Sequence, residues 1–255
     1  TAPIITPPTS ASNGAISYSS SNVSVVTISG STLSIVGVGA ATITATQAAT
    51  VNYASSPTTV DLTVTAATPS LSGLGLSSSS VMFGAAAPTI TAPTSASGGA
   101  ITYTSATVGT ATIDSATGVI SIVGVGSTVI TATQAANGNY ASSSTTTTLT
   151  VTAAIINNAA IAGVIAPVAG AVPVTNTTAG TGYTGTVTWS PSVNGTFAYN
   201  TAYTATVTLN ATSGYTLTGV AANFFTVSGA PATNPINSGV VTAVFPTTAT
   251  LPAGY

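Results

Sequence analysis

Asp61 and Asp114 are the only acids in this sequence, and it contains no lysine, arginine, histidine or cysteine. Two carboxylates could divide acid and base roles if they met. Asp61, however, lies in an alternating Thr/Val run near the end of one repeat. Asp114 opens the turn-like stretch Asp114-Ser115-Ala116-Thr117-Gly118 of the next. The simplest readings are an exposed strand residue and a turn residue bonding its own backbone. A tight calcium site needs six to eight oxygens, usually with several carboxylates, so only a weak site at Asp114 would be conceivable. Activated nucleophiles, soft metal sites and phosphate grips all draw on the absent side chains. The reading is a non-enzyme without catalytic residues, cofactor or metal.

The remaining reactive groups are amides, hydroxyls and aromatic rings. Lys–Asn isopeptide cross-links need a lysine and are ruled out. Thr–Gln ester links at Gln47 or Gln134 would need a promoting acid, and none stands nearby in sequence. Trp189, Tyr183 and Tyr199 could form a sugar-stacking platform, but a lone Trp in a β-protein more commonly fills the core. The Ser142 to Thr148 run reads as ordinary strand propensity, with O-glycosylation as the alternative. Asn-x-Ser/Thr matches at Asn22, Asn176, Asn194 and Asn210 carry little weight in such a composition.

The composition, 44% hydrophobic and 1% charged, is that of a chain that folds rather than stays disordered. With a net charge of −2 it has no basic patch for nucleic-acid phosphates or anionic lipid headgroups. Strand edges are normally guarded by charged residues, here nearly absent, so association is the expected behaviour. The most apolar stretch, Ala159 to Val174, contains Pro167 and Pro173 and falls short of the roughly 20 residues of a membrane span. The opening Thr1-Ala2-Pro3, with no Met, basic or apolar leader, reads as a processed extracellular or cell-surface chain.

The first two-thirds of the chain repeats itself. Residues 2–16 match 87–101, Ser34-Ile35-Val36-Gly37-Val38-Gly39 matches 121–126, and Thr44-Ala45-Thr46-Gln47-Ala48-Ala49 matches 131–136. Both copies carry Asn-Tyr-Ala-Ser (52–55 and 139–142) and close on Leu-Thr-Val-Thr-Ala-Ala at Ala67 and Ala154. Period-two alternation at Ile16 and Tyr18, at Ile43 and Ala45, and at Leu62 and Val64 predicts strands, with punctuation every ten residues or so. Asn13-Gly14 predicts a hairpin turn. Residues 155–248 differ but alternate too, at Val187 and Trp189 and at Tyr203, Ala205, Val207 and Leu209. Trp189, Phe197, Tyr203, Tyr215, Phe224, Phe225 and Phe245 offer a core, and Asn194-Gly195 and Ser213-Gly214 mark turns.

One segment is not duplicated. Leu71 to Phe83 precedes the second copy, and the first copy has no counterpart to it. If this segment is a first strand, the first copy lacks one. Either the chain is a fragment, or the segment is dispensable and its site is covered within the subunit, or a neighbouring subunit completes the copy by strand addition, with the tail around Thr247 to Tyr255 a candidate donor.

The pattern Pro-Thr-Ser-x-Ser-x-Gly-Ala-Ile-Thr-Tyr, then Ile-Val-Gly-Val-Gly, then Ile-Thr-Ala-Thr-Gln-Ala-Ala-x-x-Asn-Tyr resembles bacterial immunoglobulin-like repeats (Big/MBG-type) of large cell-surface and secreted adhesin-like proteins. Residues 185–191 and 214–227 resemble a second repeat found beside such modules. The resemblance implies spacers, stalks and assembly units rather than enzymes. Val81-Met82-Phe83-Gly84-Ala85-Ala86 lacks the Lys and Asp that relatives often carry there. The expectation is an all-β chain of three tandem immunoglobulin-like β-sandwiches: 1–67 lacking its first strand, 68–154, and a divergent 155–248, then a tail at 249–255. Its function is read as a subunit of an extracellular bacterial filament, sheath or surface layer. Its partners would be copies of itself, with no nucleic acid and no membrane span. The alternative is the stalk or carbohydrate-binding module of an adhesin, with a glycan as ligand.

Overall fold

A computed structural model describes residues 3–252, and among them there is no helix, only strands, turns and irregular segments. Threonine, valine and isoleucine carry branched Cβ atoms that pack well on a pleated surface and crowd a helix. The contacts gather into two compact units. One runs up to Gly75 and adds Thr91–Tyr103 and Thr131–Thr146; the other takes Leu76–Ile90, Thr104–Ile130 and the chain from Thr147 onward. The second copy therefore contributes to both units.

In the first copy, β1 (Ile16–Ser20), β4 (Gly39–Gln47) and β5 (Ser56–Val64) form a three-stranded antiparallel sheet in the order β1-β4-β5. β2 (Val26–Ser29) and β3 (Thr32–Ile35) form a separate hairpin. Val25, Val26, Leu33, Ala41 and Ile43 are the buried core between them, with Ile5, Ile28, Leu62 and Val64 only partly covered. The hairpin expected at Asn13-Gly14 is not formed. Among the described residues no strand precedes it for β1 to fold against, and the Gly14 carbonyl instead accepts a hydrogen bond from Gln47 Nε2.

The second copy starts earlier along the chain. β6 (Gly75–Leu76) pairs with β8 (Ile90–Thr91), and β7 (Ser80–Met82) joins β9 (Ile101–Ser105), β12 (Gly126–Gln134) and β13 (Ser143–Thr152) in a four-stranded sheet ordered β7-β13-β12-β9. β10 (Ala111–Ile113) and β11 (Ile120–Ile122) repeat the small hairpin. Gly39 and Gly126 open β4 and β12 with φ of 140° and 145°, a conformation that selects glycine at the same place in both copies.

The rest of the chain packs around aromatic residues. β16 (Tyr183–Ser190), β17 (Thr204–Ala211), β21 (Val240–Val244) and β20 (Ala232–Thr233) form a sheet in that order. β14 (Ala154–Ile155) pairs in parallel with β18 (Tyr215–Thr216), and β15 (Ala160–Ile161) with β19 (Thr226–Val227). Tyr183, Val187, Ala205, Val207, Leu209, Phe225, Val241 and Phe245 are buried in one cluster, while Thr186, Thr188, Thr206 and Thr208 face outward. Asn194-Gly195 and Ser213-Gly214 do turn, their glycines at φ 85° and 89°.

Candidate functional site

The two aspartates stand as strand and turn residues. Asp114 accepts hydrogen bonds at one carboxylate oxygen from Thr117 Oγ1 and Thr117 N–H, both at 2.7 Å, and from Ala116 N–H at 3.2 Å. These bonds, the Thr117 hydroxyl first, lower its carboxyl below the ordinary range against a small opposing effect of burial. Asp61 sits on exposed β5 and accepts from Thr42 Oγ1 at 2.8 Å. Among the described residues no three metal-binding side chains gather.

The aromatic platform is not assembled. Tyr183 is buried and its hydroxyl donates to the Ala160 carbonyl at 3.0 Å; burial raises its pKa above the ordinary value. Trp189 packs edge-on against Phe197 and tilted on Phe245, with its Nε1–H given to the Val174 carbonyl at 2.9 Å. Only Tyr199 of the three is exposed. Gln47 and Gln134 hold loop carbonyls: Gln134 Nε2 donates to Ser97 O and Gly99 O, Gln47 Nε2 to Ser12 O and Gly14 O. Ser95 Oγ donates to the Gln134 amide oxygen.

What the structure does assemble is an open groove on the first copy. A cavity of about 410 Å³ runs between β5 and the segment before β1, lined by Pro3, Ile4, Ile5, Tyr18, Leu33, Ile43 and Leu62 among others. The two copies differ here in burial. Leu149 and Val151 of β13 are 0% and 1% exposed, yet their counterparts Leu62 and Val64 of β5 are only half-buried. Tyr103 is buried where Tyr18 is half-buried. Val60 stands 64% exposed on β5.

At Leu149 and Val151 the added cover comes from the segment that precedes the second copy. In the second copy β7 lies parallel on β13, with Thr150 opposite Ser80, Val151 opposite Val81 and Thr152 opposite Met82. Thr150 N–H donates to Ser79 O at 2.9 Å and Phe83 N–H to Thr152 O at 2.8 Å. Leu76, Val81 and Phe83 pack on the cluster of Ile130, Leu149 and Val151. Among the described residues β5 has β4 on one side and no strand on the other. An unpaired ladder edge beside half-covered apolar side chains is a binding surface for another strand.

The tail is not free over its whole length. Thr248 is buried, its hydroxyl donating to Ala198 O at 2.7 Å, and Ala249 O accepts from Asn200 N–H at 3.1 Å. Of the suggested donor 247–255, the part up to Ala249 thus belongs to its own module, and Ala253 to Tyr255 lie outside the described residues. No helix among the described residues is long and apolar enough to cross a membrane.

No protein-family model matches the chain, and no curated protein sequence is detectably similar to it. Among solved structures it is similar to domains 4 and 5 of the S-layer protein SbsC, with 21% identity over 54% of this chain and 70% of that one and a TM-score of 0.24. A SusE-like surface-located polysaccharide-binding protein of Bacteroides thetaiotaomicron gives 15% identity over 68% and 36%, with a TM-score of 0.28. Mouse cadherin-23 EC22-24 gives 13% over 95% and 79%, with a TM-score of 0.27. This chain spans little more than a third of the second protein's length. Superpositions this loose decide nothing about function.

Proposed function

We propose that this chain is a structural subunit of an extracellular bacterial filament, sheath or surface layer, built from three tandem immunoglobulin-like modules of the bacterial repeat kind. Subunits join by adding strands to open sheet edges and by apolar contact. The observation that carries this reading is the uncovered side of β5, where Leu62 and Val64 are half-buried while their counterparts in the second copy are sealed by β7. A composition without cations and with two anions fits the same role, since it offers surface and contact but no His, Lys or Cys to act as base or nucleophile.

The test is the state of native and refolded material. Negative-stain images and sedimentation should show ordered polymers, with glycan arrays blank. Dispersed monomers that bind a defined glycan would replace this reading with the adhesin-module alternative. Trp189 and Tyr183, which that second reading would need, are committed to internal packing.

A further inference from the structure

We propose that the first copy is a receptor for one extended, uncharged polypeptide strand with the pattern of Ala67–Phe83, running parallel to β5; this rests on the assembly reading above and names the register and chemistry of the joint. The second copy shows what such a strand does, because it is laced by this ribbon of the chain itself. Ala67 N–H donates to Asn139 O and Ala67 O accepts from Ala141 N–H, both at 2.9 Å. Ser72 and Thr94 exchange two backbone hydrogen bonds, at 3.1 and 2.8 Å. β6 then pairs with β8, Ser77 N–H reaches Thr89 O at 2.9 Å, and β7 closes onto β13.

Every receiving position has a counterpart in the first copy. Asn52 and Ala54 correspond to Asn139 and Ala141, Thr9 to Thr94, Ile5 to Ile90, and Thr63 and Thr65 to Thr150 and Thr152. Asn52, Ala54, Thr9, Thr63 and Thr65 are all exposed. One feature of the empty receptor must give way. Ile4, the counterpart of Thr89, bridges Thr32 in the first copy. Releasing that isolated bridge returns Ile4 to the ribbon, at the expense of one local contact.

The groove also states what it accepts. Apolar residues are wanted at the places of Leu76, Val81 and Phe83, which pack inward in the second copy. Small or hydroxyl residues suit the places between, which face water. Asp61 lines the groove and no cation is present to pair with an incoming acid, so an acidic strand would be repelled. A donor without acids is therefore the match, and this chain, with two acids in 255 residues, meets that demand.

The experiment titrates the full chain with a labelled synthetic peptide of sequence Ala67–Phe83, beside a scrambled peptide and one N-methylated at Phe83. Saturable one-to-one binding, slowed hydrogen exchange at the Thr63 amide and at least tenfold weaker binding of the N-methylated peptide are expected. Equal binding of the scrambled peptide, or an unchanged Thr63 amide, overturns the receptor, as does absence of saturable binding. Sedimentation of the chain alone separates the two claims. Peptide binding by a chain that stays monomeric keeps the receptor and removes self-assembly. Polymers that form with the peptide neither binding nor capping them remove the receptor and leave assembly to other contacts.

Discussion

Asn139 Oδ1 accepts the Val38 amide proton at 3.1 Å, tying the Asn-Tyr turn of the second copy to the Val-Gly-Val-Gly loop of the first. The same turn holds Ala67 through backbone bonds on either side of Tyr140, so side chain and main chain of one short turn grip the end of the preceding repeat. The matching turn of the first copy, Thr50 to Tyr53, has the same internal bridge, and among the described residues no preceding repeat docks on it.

Asn139→Ala should loosen this junction and cost about 0.5–1 kcal/mol, the range for one exposed neutral hydrogen bond. Asn52→Ala should leave the dispersed chain unchanged, because among the described residues no preceding repeat offers Asn52 the contact that Val38 gives Asn139. Denaturant midpoints of the two variants check the contrast; equal losses would place the Asn139 effect in the turn itself rather than in its contact with Val38.

Leu149→Ala should cost about 2–5 kcal/mol, as for a fully buried leucine that leaves a cavity. Leu62→Ala should cost distinctly less in dispersed protein, where the side chain already meets solvent. In assembled material the two losses should converge, since an added strand would seal Leu62 as β7 seals Leu149. Thermal melts below and above the assembly concentration measure the difference.

Stability should be flat between about pH 5 and about pH 9, where no histidine, cysteine or lysine exists to titrate. Asp114 has its carboxyl held low by Thr117 and Ala116 in the folded state. Its contribution is present above the unfolded carboxyl range and is lost as pH falls through the lowered folded value, so melting temperature should fall below about pH 4. Burial raises the Tyr183 hydroxyl. Its contribution is intact below about pH 10 and is lost as pH climbs through the raised folded value. Asp114→Asn should flatten the acid limb, and melts across the pH range read it.

Assembly should be nearly indifferent to ionic strength, because a net charge of −2 over 255 residues leaves little to screen. Light scattering from about 0.02 to 1 M sodium chloride should change little, or rise slightly as apolar contact strengthens. Dissociation on adding salt would count against strand pairing and apolar contact as the joint.

The strands and their inward faces were legible in the residues. Ile43 and Ala45, Val187, and Tyr203 to Leu209 at every second position are buried as the alternation demands, because a pleated strand alternates its faces whatever its partner. The aromatic cluster was legible for the same reason. Asn13-Gly14 misled, since a turn dipeptide specifies a hairpin only when a strand stands on each side. Tyr183 and Trp189 could be listed as sugar platforms only while their partners, Ala160 and Val174, were unknown.

The scarcity of ionisable side chains is a property of composition and needs no coordinates: the sequence holds no Lys, Arg, His, Cys or Glu before it folds. The unduplicated segment before the second copy was equally visible. Only the tertiary structure decided what that segment does, splitting it into β6 and β7 and laying β7 parallel on β13. Only it showed that Leu62 and Val64 are left half-covered, because burial depends on which distant strand arrives at an edge. Strand alternation is written locally, whereas the pairing of an edge is settled by whichever backbone can reach its open hydrogen bonds.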